Sequence, residues 1–355
     1  MNTFETYDDV VRAAWNMHKS LYPMNGYYSV VSMHGAARYS KFMKDQKLLE
    51  EMLGIARPFL DGKVTQMSGA YGKTNYCCGG NFTAWLGARG YLDDKDVKTL
   101  ERYADALCNE QERAGNRMYQ FPGRPDFFWI DSVYGVCPFL VWIGLATGRK
   151  DFIEEALFQM KMHHQVLFDP SCKLYHQAIN ARGDGKLTPA HWSRGMGWAM
   201  HALAELAYEI PKDHPDYPAI LEMYRLGAEG CAASQDENGM WHQAIESLDT
   251  YVESSGTALI AYALARGSKN GTLDREKFLP VFIKAIKGLA RYVALDGSVF
   301  NCCVGCLAPG NGTVEEYAKV PWRLNDPHAF GPVILAFGEA QHLWNCNIIP
   351  SYKEL

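Results

Sequence analysis

The chain has 355 residues and a net charge of −5, with 48% hydrophobic and 21% charged residues. That length is long for an ordinary domain but fits a large barrel, and the apolar content supplies a sizeable core. The composition excludes the basic stripe that nucleic acid requires, a charged tail, and an apolar run of about 18 residues that would cross a membrane.

Residues 1–9 show neither a basic start nor an apolar stretch, so no leader is expected and the protein is placed in the cytoplasm. The 10 cysteines are then expected to be reduced thiols, mostly small core residues. Aromatic residues reach 13%, with 9 Trp and 20 Tyr. Such rings fill cores, and they also line sugar clefts, where ring faces stack on C–H groups and polar tips hydrogen-bond.

Along the chain one phrase recurs. An apolar helix ends in a small or basic turn, and a short polar link opens the next helix. It appears at residues 36–41 leading to Asp45, at 87–92 leading to Asp93 and Asp94, and at 144–151. It returns at 206–211 closing at Asp216 and at 262–267 closing at Asp274, and a helix over 330–343 belongs to a sixth unit. A spacing of roughly 50–60 residues with two helices per unit is a repeat signature. Glycine suits the left-handed end of each helix, and aspartate caps the free N–H groups of the next.

Residues 197–206 and 256–264 are apolar nearly all round, whereas 94–113 and 275–292 carry a wet face. A helix apolar on every side is buried on every side. Alternation of the two kinds implies two layers: an all-α, closed (α/α)6 barrel of six helical hairpins, forming a single domain over residues 1–355. An open solenoid is the alternative. Strand-like period-two runs are scarce.

The segments before the buried helices carry unusual residues. In 125–135, Asp131 sits among Phe127, Phe128, Trp129, Ile130, Val133 and Tyr134, ahead of a buried helix opened by Pro138. Apolar surroundings raise a carboxyl pKa, which suits a general acid, although an aspartate there could also simply cap the helix. In 191–198, which includes His191 and Trp192, Arg194 and Trp198 lie four apart and share a helix face. Arg194 can grip a carboxylate in a fork and Trp198 can stack on a sugar, or the arginine can be structural. Glu253, before Ser254 and Ser255, either orients substrate as a second carboxylate or caps its helix. Residues 321–331 bring Trp322, Arg323, Asn325, Asp326 and His328 together as a polar lining or a surface loop. The cysteine groups Cys77, Cys78 and Cys302, Cys303, Cys306 lack the paired spacing of a zinc frame, so no metal is expected from them.

These segments carry a family resemblance. Residues 129–134 (Trp-Ile-Asp-Ser-Val-Tyr), 191–198 (with its W-x-R-G-x-G-W core), 253–258 with 261–267, 303–310 and 325–328 resemble the unsaturated rhamnogalacturonyl hydrolases of glycoside hydrolase family 105 and the related unsaturated glucuronyl hydrolases of family 88. Residues 25–28 resemble the start of the family's first inner helix. The resemblance spans nearly the whole chain. It implies an (α/α)6 barrel without metal or cofactor, acting on an oligosaccharide. The implied reaction removes a 4,5-unsaturated uronic acid from the non-reducing end by hydrating its double bond. Asp131 would be the proton donor. Arg194 and His191 would hold the uronate or water, Trp198 would stack, and Trp129, Tyr134, Trp192, Glu253, Trp322, Arg323 and His328 would complete the pocket. The family usually has a second aspartate in the second hairpin. Residues 74–80 here contain none, and Asn75 stands in its place.

Three other readings stand beside this one. The first is a conventional glycosidase using Asp131 and Glu253 as a carboxylate pair. The second is a sugar epimerase with His191 and His328 as bases. The third is a non-catalytic sugar binder. A homodimer is the assembly entertained.

Overall fold

A computed structural model describes residues 4–67, 73–306 and 310–355. The resembling stretch 303–310 therefore lies partly outside the described residues, at 307–309, as do residues 1–3 of the N-terminal reading. In chain order the helices are α1 (Tyr7–Leu21), α2 (Tyr27–Met43), α3 (Gln46–Leu60), α4 (Gly80–Ala88), α5 (Asp94–Glu110), α6 (Asp131–Thr147) and α7 (Lys150–Leu167). They continue as α8 (Ser193–Glu209), α9 (Tyr217–Ser234), α10 (Ser254–Asn270), α11 (Arg275–Leu289), the single turn α12 (Val314–Tyr317) and α13 (Pro327–Asn345).

The starts follow from local chemistry. Thr6 and Asp9 form a reciprocal capping box at α1. Asp45, Asp93 and Asp274 each accept backbone N–H groups at α3, α5 and α11, as the aspartates in the sequence indicated. Asp216 precedes α9 but caps nothing, because its carboxylate instead takes the Lys161 ammonium at 2.6 Å.

Packing realises the two layers. The helices α2, α4, α6, α8, α10 and α13 each pack on the next, and α13 closes back on α2. The amphipathic helices α1, α3, α5, α7, α9 and α11 lie outside them. Seams in the inner ring need glycine. A Cβ on Gly331 of α13 would stand 2.5 Å from Val31 Cβ of α2, and one on Gly256 of α10 would stand 2.5 Å from the Ser193 backbone of α8. The expected closed barrel is the structure found, and the open solenoid is not.

On the barrel axis, Val31, Tyr134, Trp198, Leu259, Tyr262 and Leu335 form a plug from five inner helices. Toward the C-terminal ends of those helices lies a buried ionic network. Arg38 pairs with Glu339 at 2.7 Å, Arg266 with Glu205 at 2.8 Å, and Arg38 with Glu205 at 3.7 Å. The strands are two-residue pairs in the loops at the other end: β1 (Phe128–Trp129), β2 (Phe168–Asp169), β3 (Leu174–Tyr175), β4 (Ala178–Ile179), β5 (Cys302–Cys303) and β6 (Trp322–Arg323). β1 pairs with β4, β2 with β3 and β5 with β6, all antiparallel. Among the described residues no helix is long and apolar enough to cross a membrane.

Candidate active site

The inner helices all start at the end that carries the strands, and residues at their starts touch those of their ring neighbours. The Tyr27 hydroxyl at the start of α2 hydrogen-bonds His328 Nε2 at the start of α13. Lys73, ahead of α4, reaches Ser132 Oγ of α6 at 3.3 Å. Arg194 of α8 donates to Ser255 Oγ of α10 at 3.2 Å and to the Cys303 carbonyl at 2.7 Å. Each helix N-terminus carries about half a positive charge, so six converging N-termini favour an anion between them.

Asp131 is the first residue of α6 rather than part of the loop before it. Protein surrounds its carboxyl group closely, yet the residue as a whole is only partly buried. Burial raises its pKa above the ordinary carboxylate value. The Gln177 hydrogen bond and the Arg194 and Lys73 charges oppose that rise without cancelling it. The Gln177 amide donates to Asp131 Oδ2 at 2.6 Å, and the Gln177 carbonyl accepts from Ile130 N at 2.9 Å. Gly195 makes room for this residue, since a Cβ there would stand 2.8 Å from Gln177 Oε1. Lys73 is itself buried, which pulls its pKa down to about 8 against the attraction of Asp131.

Arg194 lies with its guanidinium 4.4 Å over the Trp192 ring, and both side chains are buried. Glu253 is the N-cap of α10 and is fully buried. Its oxygens accept from Ser255 N at 3.1 Å, Ser255 Oγ at 2.7 Å, Gly256 N at 2.5 Å, Cys303 N at 3.0 Å and Ser193 Oγ at 3.3 Å. These five donors occupy the carboxylate, so the residue acts as a cap and a clamp between α8, α10 and β5. His328 Nδ1 bonds Asp326 Oδ1 at 2.6 Å, giving a relay from Asp326 through His328 to Tyr27. Burial works against the Asp326 charge, but its bonds to His328 together with the His328 and Arg194 charges outweigh it and hold the pKa below its usual value.

Residues 3–343 match the family described as Glycosyl Hydrolase Family 88. The chain belongs to this family. It is 28% identical over 237 residues to the unsaturated rhamnogalacturonyl hydrolase YesR of Bacillus subtilis (strain 168), covering 65% of this chain and 66% of that one. The chain thus spans just under two thirds of that relative. Among solved structures, a family 105 glycoside hydrolase of C. acetobutylicum ATCC 824 superposes with a TM-score of 0.79 at 22% identity, over 95% of this chain and 99% of that one. The unsaturated glucuronyl hydrolase of Bacillus sp. GL1 gives 0.68 at 14% identity, over 97% of each. At those identities the likeness establishes the helical barrel.

Within this family 88 barrel the sequence-predicted residues separate. Asp131, Arg194 and His328 lie at the convergent helix starts. Tyr134 and Trp198 pack against each other at 4.4 Å in the axial plug, so neither offers a free face for stacking. Trp129 is buried against Phe121 and Phe127. Trp322 is 44% exposed and Arg323 lies beside it on β6, both on the rim. His191 faces Asp169 and Cys172. Asn75 is buried and donates to the Gly135 carbonyl at 2.7 Å, so the position of the missing aspartate supports the α6 backbone. Sequence reasoning did not find Gln177, Lys73 or Tyr27 as partners in the site. Gln177 follows a tyrosine and a histidine in a short strand-like run, and that was the signal available.

Proposed function

We propose that this family 88 chain removes a 4,5-unsaturated uronic acid from the non-reducing end of lyase-generated oligosaccharides by hydrating the C4=C5 bond. The observation that carries the reading is a single accessible carboxyl group, Asp131, with a raised pKa, among converging helix N-termini and the cations Arg194 and Lys73. Such surroundings attract a uronate. A neutral carboxylic acid can protonate C4, leaving positive charge shared by C5 and the ring oxygen. The resulting carboxylate then takes a proton from water as its oxygen bonds to C5. The hemiketal so formed opens, and the aglycone sugar leaves. One carboxyl group gives and regains the proton, so no second one is needed. The saturated bonding of Glu253 argues against the paired-carboxylate glycosidase, which needs two free carboxyl groups flanking the bond. All ten cysteines are free thiols, which suits a reducing, cytoplasmic site of action.

The test follows the loss of ultraviolet absorbance of the conjugated alkene in unsaturated pectin, glycosaminoglycan and ulvan oligosaccharides. Asp131→Asn should fold normally and lose turnover by about 10²–10⁴-fold or more. Full turnover in that variant, or equal cleavage of saturated aryl uronosides by the unaltered chain, overturns the reading.

A further inference from the structure

Between α7 and α8 the chain holds a second cluster of chemically active groups that the proposed reaction does not use. Asp169 ends β2, and its Oδ1 accepts from Ser171 N at 2.8 Å and Ser171 Oγ at 2.6 Å. That leaves Oδ2 turned inward. It stands 3.8 Å from His176 Nε2 and 3.8 Å from His191 Nε2. Cys172 Sγ lies 3.6 Å from the same His191 Nε2. The ligand atoms of Asp169, Cys172 and His191 all fall within 4.8 Å of one another.

The N···O distances are too long for good hydrogen bonds. They resemble the edges of a coordination shell. Bonds of about 2.0–2.1 Å to nitrogen or oxygen and about 2.3 Å to sulfur give tetrahedral edges of roughly 3.3–3.6 Å. The His176 ring is held by a hydrogen bond, and the His191 ring, whose Nδ1 makes no hydrogen bond, has a carboxylate close behind it. His176 Nδ1 bonds the Thr188 carbonyl at 2.8 Å, which fixes Nε2 toward Asp169. His191, buried, has Nδ1 3.4 Å from Glu246 Oε1, and the Glu246 carboxylate also accepts from the His191 backbone N at 3.0 Å. A carboxylate near the free nitrogen of His191 is what a metal-ligating imidazole can recruit when the ion binds.

We propose that Asp169, Cys172 and His191 form a transition-metal site of the zinc type, with solvent in the fourth position. One thiolate, one imidazole and one carboxylate suit Zn²⁺ and not Mg²⁺ or Ca²⁺. Without a cation, burial holds the Cys172 thiol protonated, and a bound divalent cation displaces that proton to solvent. The ion ties the β2–β3 hairpin to the segment that opens α8. Gln177 follows His176 and grips Asp131, and Arg194 lies three residues beyond His191. The metal therefore joins the hairpin that leads to Gln177 to the segment that leads to Arg194, without touching substrate. This site stands apart from the functional reading, and its test uses no substrate.

The full chain, stripped with a chelator, is titrated with Zn²⁺ and with Co²⁺ against a competing chromophoric chelator. The expected result is one equivalent per chain, a Tm that rises with free zinc, and a thiolate-to-cobalt charge-transfer band with intense tetrahedral d–d bands. Cys172→Ser should lose the charge-transfer band, whereas Cys346→Ser, at an exposed thiol, should keep it. Glu246→Gln should bind zinc about 10-fold more weakly. A cobalt spectrum of the unaltered chain without the thiolate band, substoichiometric binding, or an unchanged band in Cys172→Ser overturns the proposal. The cobalt spectrum is read on the unaltered chain, so it decides even if a variant fails to fold.

Discussion

Asp131 balances two opposed effects. Helix starts and the cations Arg194 and Lys73 favour its ionised form, while removal from water disfavours it, and the second wins. The sign of a test follows. Charged Lys73 stabilises the Asp131 carboxylate, so replacing it with methionine removes a force that lowers the pKa. The proton-donating form then persists to higher pH. Lys73→Met should move the basic limb of kcat/KM upward by as much as about one pH unit. A pH–rate profile that stays put or moves downward would show that Lys73 does not act on this acid. Asp131 and Arg194 stood out in the sequence because an acid among rings and an arginine at the start of a buried helix are locally unusual. Gln177 and Lys73 are ordinary polar residues. They join the site only through contacts spanning 46 and 59 residues, and no local pattern records such contacts.

Helix α6 shows how an element can hide in its sequence. Pro138 reads as a helix start, because proline lacks an N–H and fits a first turn. In the structure it lies inside α6, which begins at Asp131, so the acid belongs to the helix and not to its approach. A proline in mid-helix leaves the carbonyl four residues earlier without its partner. That carbonyl belongs to Tyr134, and Asn81 of α4 donates to it at 2.8 Å. Asn75 serves the next carbonyl, that of Gly135. Asn81→Leu should therefore cost about 1–3 kcal/mol, read as a lower urea midpoint with unchanged slope. Adding Pro138→Ala returns a backbone N–H to Tyr134, so the double variant should lose less than the two single changes summed. Strict additivity would mean the asparagine is not compensating for the proline. The end of α10 also lies beyond the turn phrase 262–267. The helix runs on to Asn270, and Gly271 takes the left-handed turn. Gly267 is instead small for packing, since a Cβ there would stand 2.6 Å from Leu273 Cγ. The repeat itself was legible because caps and apolar periodicity are local.

Across the whole molecule, the inner ring surrounds charge as well as apolar side chains, and this links stability to pH. Burial works against Glu205, but Arg266 and Arg38 outweigh it and hold its pKa well below the usual value. Glu205→Gln would leave two buried guanidinium groups short of their partner, at a cost of about 3–5 kcal/mol in thermal or urea unfolding. A loss under about 1 kcal/mol would show that water compensates them. Four buried histidines add a second linkage. Burial lowers His18, His163 and His201 from 6.5 to about 4, and it holds His34 well below its usual value, with the Arg38 charge adding to the effect on His34. These rings are neutral in the folded chain, while the unfolded chain protonates them below about pH 6.5. The unfolded state then binds more protons, so stability rises with pH in that window and is lost as pH falls from about 6.5 toward 4. Each ring contributes a slope of up to about 1.4 kcal/mol per pH unit there, and none above it. His201 is packed on Tyr262 at 5.2 Å and neither of its nitrogens has a hydrogen-bond partner, so phenylalanine preserves its contacts while removing its titration. His201→Phe should flatten the dependence of unfolding free energy on pH between about 4 and 6.5 by one such slope and leave values near pH 7.5 parallel to the parent. An unaltered slope would mean that His201 is already solvated or paired in the folded chain, and the acid lability would have to arise elsewhere.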